Sequence, residues 1–353
     1  MGQSFSLRKA GSIFGSIGGR FDASEARKSF PSGSKVGSYF DVTELGREVG
    51  FLRRPEKPLA ISIFVTKGGV LKTTLTLNLA RMAALHGIRV CVVGLDMQGD
   101  ITQALGCAGP DEDQSLEDAL KTLNSLKGLA DFSQGQTSLD SIICPTEIPT
   151  LFYIPETPDL VGLDQSLLSR NRREYWLKEN VVDRLKESFD LILMDCSPNW
   201  NRLINNALVA SDAVISPIES KINNFRNLKT FRALMAEFGR DMRLEFKHLF
   251  VPTRLVSSRR LSREIYEWYR ANLETCTAYS IREGVQGEEA TALRLSIPEH
   301  SPGCAAAAEI RLLLSEIASA LGFAAPEAEQ RLILDHAKLT GTPDRATELS
   351  IEV

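Results

Sequence analysis

Lysine, glycine and threonine residues lie close together between an apolar run and a segment with helical periodicity. The loop comprises, in chain order, Lys67, Gly68, Gly69, Val70, Leu71, Lys72, Thr73 and Thr74. Glycines allow a backbone to approach a phosphate closely, and the N–H groups at the start of a helix bind anions. Lys72 would contact the β- and γ-phosphates of a nucleotide, and the hydroxyl of Thr73 would bind Mg²⁺. The segment therefore predicts a phosphate-binding loop.

Two aspartates follow apolar runs elsewhere in the chain. Asp96 comes after the run 89–95, and Asp195 ends the run 189–194. The carboxyl ends of parallel strands are where open α/β sheets bind ligands, and phosphoryl transfer needs a metal ion and a placed water. We expect Asp195 to hold Mg²⁺ through water and Asp96 to orient a water. The alternative for each is a helix N-cap.

Predicted strands and helices alternate along the chain, and they must position these side chains. Continuous apolar runs typical of strands covered on both faces occur at 59–65, 89–95, 191–194, 213–218, 245–251 and 277–281. Residues 73–86 have apolar positions at helical spacing, and helical stretches separate the other runs. The alternation predicts an α/β fold with a mostly parallel sheet flanked by helices.

Composition divides the chain into four parts. Residues 1–40 are rich in serine and glycine and mildly basic, which predicts a flexible N-terminal segment. Residues 41–58 are expected to form a short helix and a linker, residues 59–322 the catalytic domain, and residues 323–353 a C-terminal tail that the core does not need.

Charge and cysteine usage limit the classes of partner and compartment. The formal net charge is −4, so contact with DNA would require a local basic patch. Candidate patches are Arg226 with Lys229, and Arg259 with Arg260; the alternative for each is a solvated helix face with ion pairs. Six cysteines without a C-x-x-C pair, together with no secretory signal pattern, predict a cytoplasmic protein.

The loop departs from the generic pattern G-x-x-x-x-G-K-[ST], because Thr66 and Leu71 stand at its two glycine positions. It resembles instead the deviant Walker A loop, KGGxGK[ST], of the ParA and MinD family of P-loop NTPases. VCVVGLDMQGDIT at 90–102 and FDLILMDCSP at 189–198 are similar to two further motifs of that family. The resemblance covers roughly residues 58–322.

The resemblance implies a dimerising ATPase that uses ATP and Mg²⁺. Lys67 would reach across the ATP-bound homodimer to the partner's phosphates, and Lys67, Lys72 and Asp96 would be the catalytic residues. Pro252 and Thr253 would contact the adenine. In the ParA-type branch, Arg282 would contact DNA without sequence specificity. A centromere-binding partner protein, association with the nucleoid, and a role in segregating or positioning plasmid or chromosomal DNA would follow.

Two departures from the family pattern keep alternatives open. Leu71 stands where the family has glycine, and Gly94 where it has the first aspartate of D-x-D. In the geometry of the family's loop, Leu71 would need a positive φ, where a non-glycine residue costs roughly 1–2 kcal/mol. We therefore expect weaker nucleotide binding or slower turnover. The alternatives are a nucleotide-binding regulator or scaffold with little hydrolysis, and MinD-like positioning of another cargo. The mixed charge of the tail argues against stable membrane association.

Overall fold

An eight-stranded sheet forms the centre of the molecule. The computed structural model describes residues 5–15, 35–36, 38–106, 115, 117, 126–256, 258–282 and 284–340. The strands are β1 (Phe5–Ser6), β2 (Lys35–Val36), β3 (Leu59–Ile63), β4 (Val90–Leu95), β5 (Cys144–Pro145), β6 (Leu151–Ile154), β7 (Leu191–Cys196), β8 (Ala213–Glu219), β9 (Lys247–Leu255) and β10 (Ile281–Arg282). The first two form a small antiparallel pair, and the large sheet has the order β10-β9-β8-β3-β7-β4-β6-β5.

Helices cover both faces of this sheet. They are α1 (Leu7–Ile13), α2 (Tyr39–Val49), α3 (Lys72–Leu85), α4 (Asp100–Leu105), α5 (Leu129–Ser133), α6 (Leu160–Ser166), α7 (Asp183–Leu185), α8 (Arg202–Ala210), α9 (Ile222–Met242), α10 (Arg260–Asn272), α11 (Val285–Ala292), α12 (Ile297–His300), α13 (Ala305–Leu321) and α14 (Glu329–Thr340). Short 3₁₀ turns occupy Asp140–Ile142, Leu167–Ser169, Arg173–Tyr175 and Pro326–Ala328, and Lys178–Val182 is π-helical.

The pairing confirms the predicted α/β class. Every neighbouring pair in the large sheet is parallel except β5 with β6. All residues of β4, β7 and β8 are buried, because apolar clusters lie on both faces of the sheet. The structure adds β6 and the edge strand β5, which the sequence patterns did not predict. The run 277–281 contributes only its last residue to β10.

The two ends of the described chain pack on the core, in contrast to the sequence expectation. Residues 1–40 were expected to be flexible, but Ala10, Ile13 and Phe14 are fully buried. The tail 323–353 was expected to be dispensable for the core, but Phe323 and Leu332 belong to the larger apolar cluster. Residues 5–15 and 323–340 therefore contribute to the core, and the domain boundaries themselves stay a prediction. Residues 1–4, 16–34, 37 and 341–353 lie outside the described part of the chain.

The segment 41–58 contacts the C-terminal part of the described chain and leads into β3. The expected short helix is present as α2, which begins at Tyr39, two residues before position 41, and ends before Gly50. Arg53 then donates its backbone N–H to Phe323 O at 2.7 Å, and Ala325 donates to Phe51 O at 2.9 Å. Within the described residues, no helix is long and apolar enough to cross a membrane.

Candidate nucleotide-binding site

The predicted phosphate loop connects β3 to α3, as the apolar run and the helical periodicity indicated. Gly69 has a φ of +71°, and Leu71, the N-cap of α3, has φ 68° and ψ 33°. The side chain of Leu71 is partly buried and packs against the apolar cluster. Leu71 thus contacts the core and also borders the open space beside the loop. A Cβ added to Gly68 or Gly69 would meet none of the described atoms within 4 Å, so space remains beside the loop.

Asp195, near the end of β7, forms hydrogen bonds to the first residues of α3. Its side chain is almost completely buried, and its two oxygens accept hydrogen bonds from the hydroxyls of Thr73 at 2.9 Å and Thr76 at 2.8 Å. Burial raises the pKa of Asp195 to about 6, although the two hydroxyls and the charge of Lys72 favour its ionised form. The two residues predicted to serve Mg²⁺, Thr73 and Asp195, are therefore in direct contact.

Lys72 lies beneath the loop with its ammonium group partly desolvated. Its Nζ donates to the carbonyl oxygen of Lys67 at 3.2 Å, and the residue is 8% exposed. Burial lowers the pKa of Lys72, and the nearby charges of Asp195 and Asp96 oppose that shift. A cation held in this way needs an anionic partner, which the phosphates of a nucleotide would supply.

Asp96 follows β4 at the same edge of the sheet as Asp195. In the register of β4 with β7, Gly94 pairs with Asp195, which places Asp96 beside the end of β7. One Asp96 oxygen accepts the N–H of Gln98 at 3.2 Å. The next helix, α4, has Gly99 as its N-cap, so Asp96 does not cap it; Asp195, within β7, does not cap a helix either.

Glu156 is a site residue that the sequence analysis missed. It lies two residues beyond the end of β6, is 6% exposed, and its carboxylate accepts the backbone N–H of Asp96 at 3.2 Å. Burial raises the pKa of Glu156 to about 8, and the negative charge of Asp195 contributes. The rule that identified Asp96 and Asp195, a carboxylate at a strand's carboxyl end, would have found Glu156 if β6 had been predicted.

A cavity of about 680 Å³ opens beside the loop. Its walls combine the loop, α4, the end of β9 and the segment around α11: Leu71, Thr73, Thr74, Asp100, Gln103, Ala104, Arg254, Ile281, Arg282, Gly284, Gly287, Glu288, Thr291, Ala292 and Arg294. Of these, Leu71, Arg254 and Arg294 have positive φ angles. Strained backbone of this kind concentrates at ligand sites.

The predicted adenine contacts, Pro252 and Thr253, do not themselves line this cavity. Thr253 is completely buried within β9, and the next residue, Arg254, lines the cavity. The hydroxyl of Thr253 has no hydrogen-bond partner among the described residues. Pro252 is also buried, so the adenine contacts stay a prediction.

The donor set fits a nucleotide with Mg²⁺. A threonine hydroxyl and a carboxylate supply oxygen ligands, which Mg²⁺ prefers, and a lysine and exposed glycines stand beside them. The loop precedes the N-terminus of α3, a 14-residue helix whose dipole favours an anion there.

The predicted DNA-binding residues follow the carboxyl ends of neighbouring strands. Arg226 and Lys229 are exposed on α9, and Arg259 and Arg260 are exposed at the start of α10. Arg260 forms an ion pair with Glu264. Arg282 is also exposed at this edge, and it forms an ion pair with the buried Glu309 of α13. Its guanidinium group therefore already has a carboxylate partner, which its sequence context did not indicate.

Comparison with known proteins identifies relatives of this chain. The family model described as an AAA domain matches residues 59–247. A relative, the sporulation initiation inhibitor protein Soj of Bacillus subtilis, is 32% identical over 189 residues, which cover 52% of this chain and 69% of the relative. The chromosome-partitioning ATPase Soj of Thermus thermophilus is 27% identical over 259 residues, covering 73% of this chain and 94% of the relative.

A solved structure shares the fold. The cobyrinic acid a,c-diamide synthase of Mycobacterium smegmatis, with a bound ATP analogue and magnesium, superposes with a TM-score of 0.58. The match covers 75% of this chain and 94% of that protein. At 24% sequence identity, the likeness shows a common fold.

Proposed function

Because the chain belongs to the ParA and MinD family of P-loop ATPases, we propose that it is an ATPase that binds ATP and Mg²⁺, dimerises in the ATP state and binds DNA without sequence specificity. In this proposal it segregates or positions plasmid or chromosomal DNA. The relatives include a chromosome-partitioning ATPase, which supports this role. A small centromere-binding protein would stimulate it.

One observation carries the nucleotide part of the proposal. Thr73, Asp195 and Lys72 meet at the start of α3, with the two oxygen ligands 2.9 Å apart. Thr73 would ligate Mg²⁺ directly and Asp195 would hold it through water, while Lys72 would neutralise phosphate charge. The ATP analogue and magnesium bound to a protein of the same fold support the choice of ATP and Mg²⁺ as ligands.

Hydrolysis requires a placed water, and we assign this task to Asp96. Its position at the carboxyl end of β4, next to β7, brings it to the edge of the sheet that carries the phosphate loop. Lys67 lies in that loop with its side chain partly exposed, as a residue that reaches towards a second subunit must be. Lys67, Lys72 and Asp96 are the proposed catalytic residues.

A second candidate is a nucleotide-binding regulator or scaffold with little hydrolysis. The left-handed backbone of Leu71 favours it, because a strained residue in the phosphate loop adds to the free energy of the binding conformation. MinD-like positioning of another cargo would use the same ATPase chemistry. Only the identity of the cargo distinguishes this role from the partition of DNA.

ATP turnover by the full chain tests the proposal. We expect Lys67→Ala and Asp96→Ala each to lower kcat by on the order of 100-fold, since each removes a group acting on the transition state. Lys57→Ala, an exposed lysine before β3, is the matched control and should leave kcat unchanged. Wild-type ATP binding without turnover, with or without DNA, would favour the regulator; absence of ATP–Mg²⁺ binding would refute both candidates.

A further inference from the structure

The backbone at Gly94 is in close contact with the side chain of Glu156. A Cβ added to Gly94 would lie 2.1 Å from Glu156 Cγ and 2.8 Å from its Cδ. Any other residue at position 94 would therefore displace Glu156. Glycine is required at this position by the close approach and not by its backbone angles, because Gly94 does not have a positive φ. The carboxylate of Glu156 thus lies in the volume that a side chain at position 94 would fill.

This volume is on the face of the sheet that carries the phosphate loop. Gly94 of β4 pairs with Asp195 of β7 in parallel register. Paired residues of neighbouring strands direct their side chains to the same face, so a side chain at position 94 would be a neighbour of Asp195. Asp195 contacts Thr73 and Thr76 of α3 on that face.

The carboxylate of Glu156 holds both ends of the segment that carries Asp96. One oxygen accepts the N–H of Asp96 at 3.2 Å. The other accepts the N–H and the hydroxyl of Thr102, in the first turn of α4, each at 3.3 Å. The Thr102 hydroxyl in turn accepts the N–H of Glu156 at 2.7 Å. These four contacts connect the loop after β6 to residues 96–102.

We infer that Glu156 is a positioning residue for the proposed hydrolysis: it supplies from the loop after β6 the carboxyl group that the chain lacks at position 94, and it fixes the backbone of Asp96 relative to α4. The inference rests on the proposed function, because Asp96 is the residue that would orient the water. Glu156 itself acts through the Asp96 and Thr102 amides. A displacement of about 1 Å in a catalytic group costs on the order of 100-fold in rate, so the support is large enough to measure.

Three variants separate the parts of this arrangement. Glu156→Ala removes all the carboxylate contacts. Glu156→Gln keeps an oxygen for Asp96 but presents an amide to the N–H of Thr102. Gly94→Asp combined with Glu156→Ala returns a carboxylate to the same volume from β4. The matched control is Asp190→Asn, because Asp190 is another buried carboxylate that accepts a backbone N–H beside β4, that of Arg89 at 3.0 Å, at the opposite edge of the sheet.

We expect Glu156→Ala to lower kcat for ATP by at least about tenfold while the Kd for ADP changes by less than about threefold. Glu156→Gln should be intermediate, and the double variant should recover at least about threefold in kcat over Glu156→Ala. Asp190→Asn should keep the wild-type kcat, whatever its effect on Tm. Recovery by a carboxylate from another strand is a result that a merely structural role would not produce.

Amide hydrogen exchange gives a second measurement that does not require turnover. Exchange at Asp96 and Thr102 should accelerate by about tenfold or more in Glu156→Ala and stay unchanged in Asp190→Asn. If the wild-type chain does not hydrolyse ATP, the proposed function fails, and this exchange pattern still decides whether Glu156 holds the segment. Wild-type exchange and turnover in Glu156→Ala, or equal losses in Glu156→Ala and Asp190→Asn with no recovery in the double variant, would overturn the inference.

Discussion

Leu71 occupies a backbone conformation that only glycine adopts freely. Its φ of 68° and ψ of 33° lie in the left-handed region, where an L-residue with a Cβ costs roughly 1–2 kcal/mol. The side chain packs against the apolar cluster, which offsets part of this cost. Since the strain lies in the phosphate loop, it affects the nucleotide-binding conformation more than the rest of the fold.

Replacement of Leu71 by glycine should therefore change nucleotide chemistry. We expect Leu71→Gly to raise ATP affinity or kcat by about threefold to tenfold, corresponding to the relief of about 1 kcal/mol of strain. Leu71→Ala keeps the strain and removes the bulk, so it should not show this gain. Binding and turnover measured on all three forms separate the two causes.

Arg243→Gly is the matched control for this prediction. Arg243 also has a positive φ, 53°, but it lies at the end of α9, away from the loop. Its replacement should leave affinity and kcat unchanged while it relieves comparable strain. If Leu71→Gly leaves both quantities at their wild-type values, strain at position 71 has no functional consequence.

At the scale of single residues, the sequence predicts those site residues that their neighbours in the chain identify. Lys72 and Thr73 follow from the loop that contains them, and Asp195 from the end of an apolar run. Glu156 could not be predicted in the same way, because its place depends on the absence of a side chain at Gly94, 62 positions earlier in the chain. β6, which delivers it, has only four residues and therefore gives a weak periodic signal.

The terminal elements show where composition misleads. Residues 1–40 have the serine and glycine content of a mobile segment, yet Ala10 and Ile13 of α1 and the following Phe14 are buried. Three apolar residues in one short segment are too few to alter a composition average. The segment α1 packs against α2 and α12, and no local pattern reveals the surface that these helices provide. The central strands were predictable because long apolar runs carry their own signal.

His86, at the end of α3, is enclosed by these terminal elements. Its ring packs edge-on against Phe14 after α1 and Phe51 after α2, with ring centroids 5.0 and 4.5 Å away. Nδ1 lies 2.6 Å from the carbonyl oxygen of Met82, which assigns the proton to Nδ1, and Nε2 has no partner among the described residues. Complete burial lowers the pKa of His86 to about 3, and the charges of Arg53 and Arg331 add to the effect.

This shift predicts a loss of stability in mild acid. Above the unfolded-state pKa of about 6.5, His86 is neutral in both states and has no effect on the pH dependence. Between pH 6.5 and 3 the unfolded chain binds a proton that the native chain does not, so the free energy of unfolding falls. The contribution of His86 at pH 5 is a loss of about 2 kcal/mol relative to pH 7.

Denaturant unfolding at pH 7 and pH 5 tests this contribution. His86→Asn removes the titration and should reduce the difference in unfolding free energy between the two pH values by about 2 kcal/mol, whatever its effect at pH 7. His300→Asn, at a partly exposed histidine near Glu289, is the control. An unaltered pH difference in His86→Asn would show that this ring does not govern the acid sensitivity.

For the whole molecule, the distribution of cations matters more than the net charge of −4. Arg226, Lys229, Arg259 and Arg260 are exposed and lie near the carboxyl ends of β8 and β9, the edge that carries the phosphate loop. A DNA surface at this edge would lie close to the ATP-dependent dimer contact that we propose for Lys67. The arrangement would couple the nucleotide state to DNA affinity.

Salt dependence of DNA binding measures this surface directly. With ATP and Mg²⁺ present, the logarithm of the affinity should fall linearly with the logarithm of salt concentration, with a slope of about −0.9 for each neutralised phosphate of duplex DNA. The pair of changes Arg226→Ala and Arg259→Ala should make that slope less negative by about 2, because two phosphate contacts are lost. Arg240→Ala, on the last turn of α9 and exposed, is the matched control and should keep the wild-type slope. A wild-type slope in the double variant would place the DNA surface elsewhere. Equal DNA affinity with and without ATP would show that DNA binding does not depend on the nucleotide state.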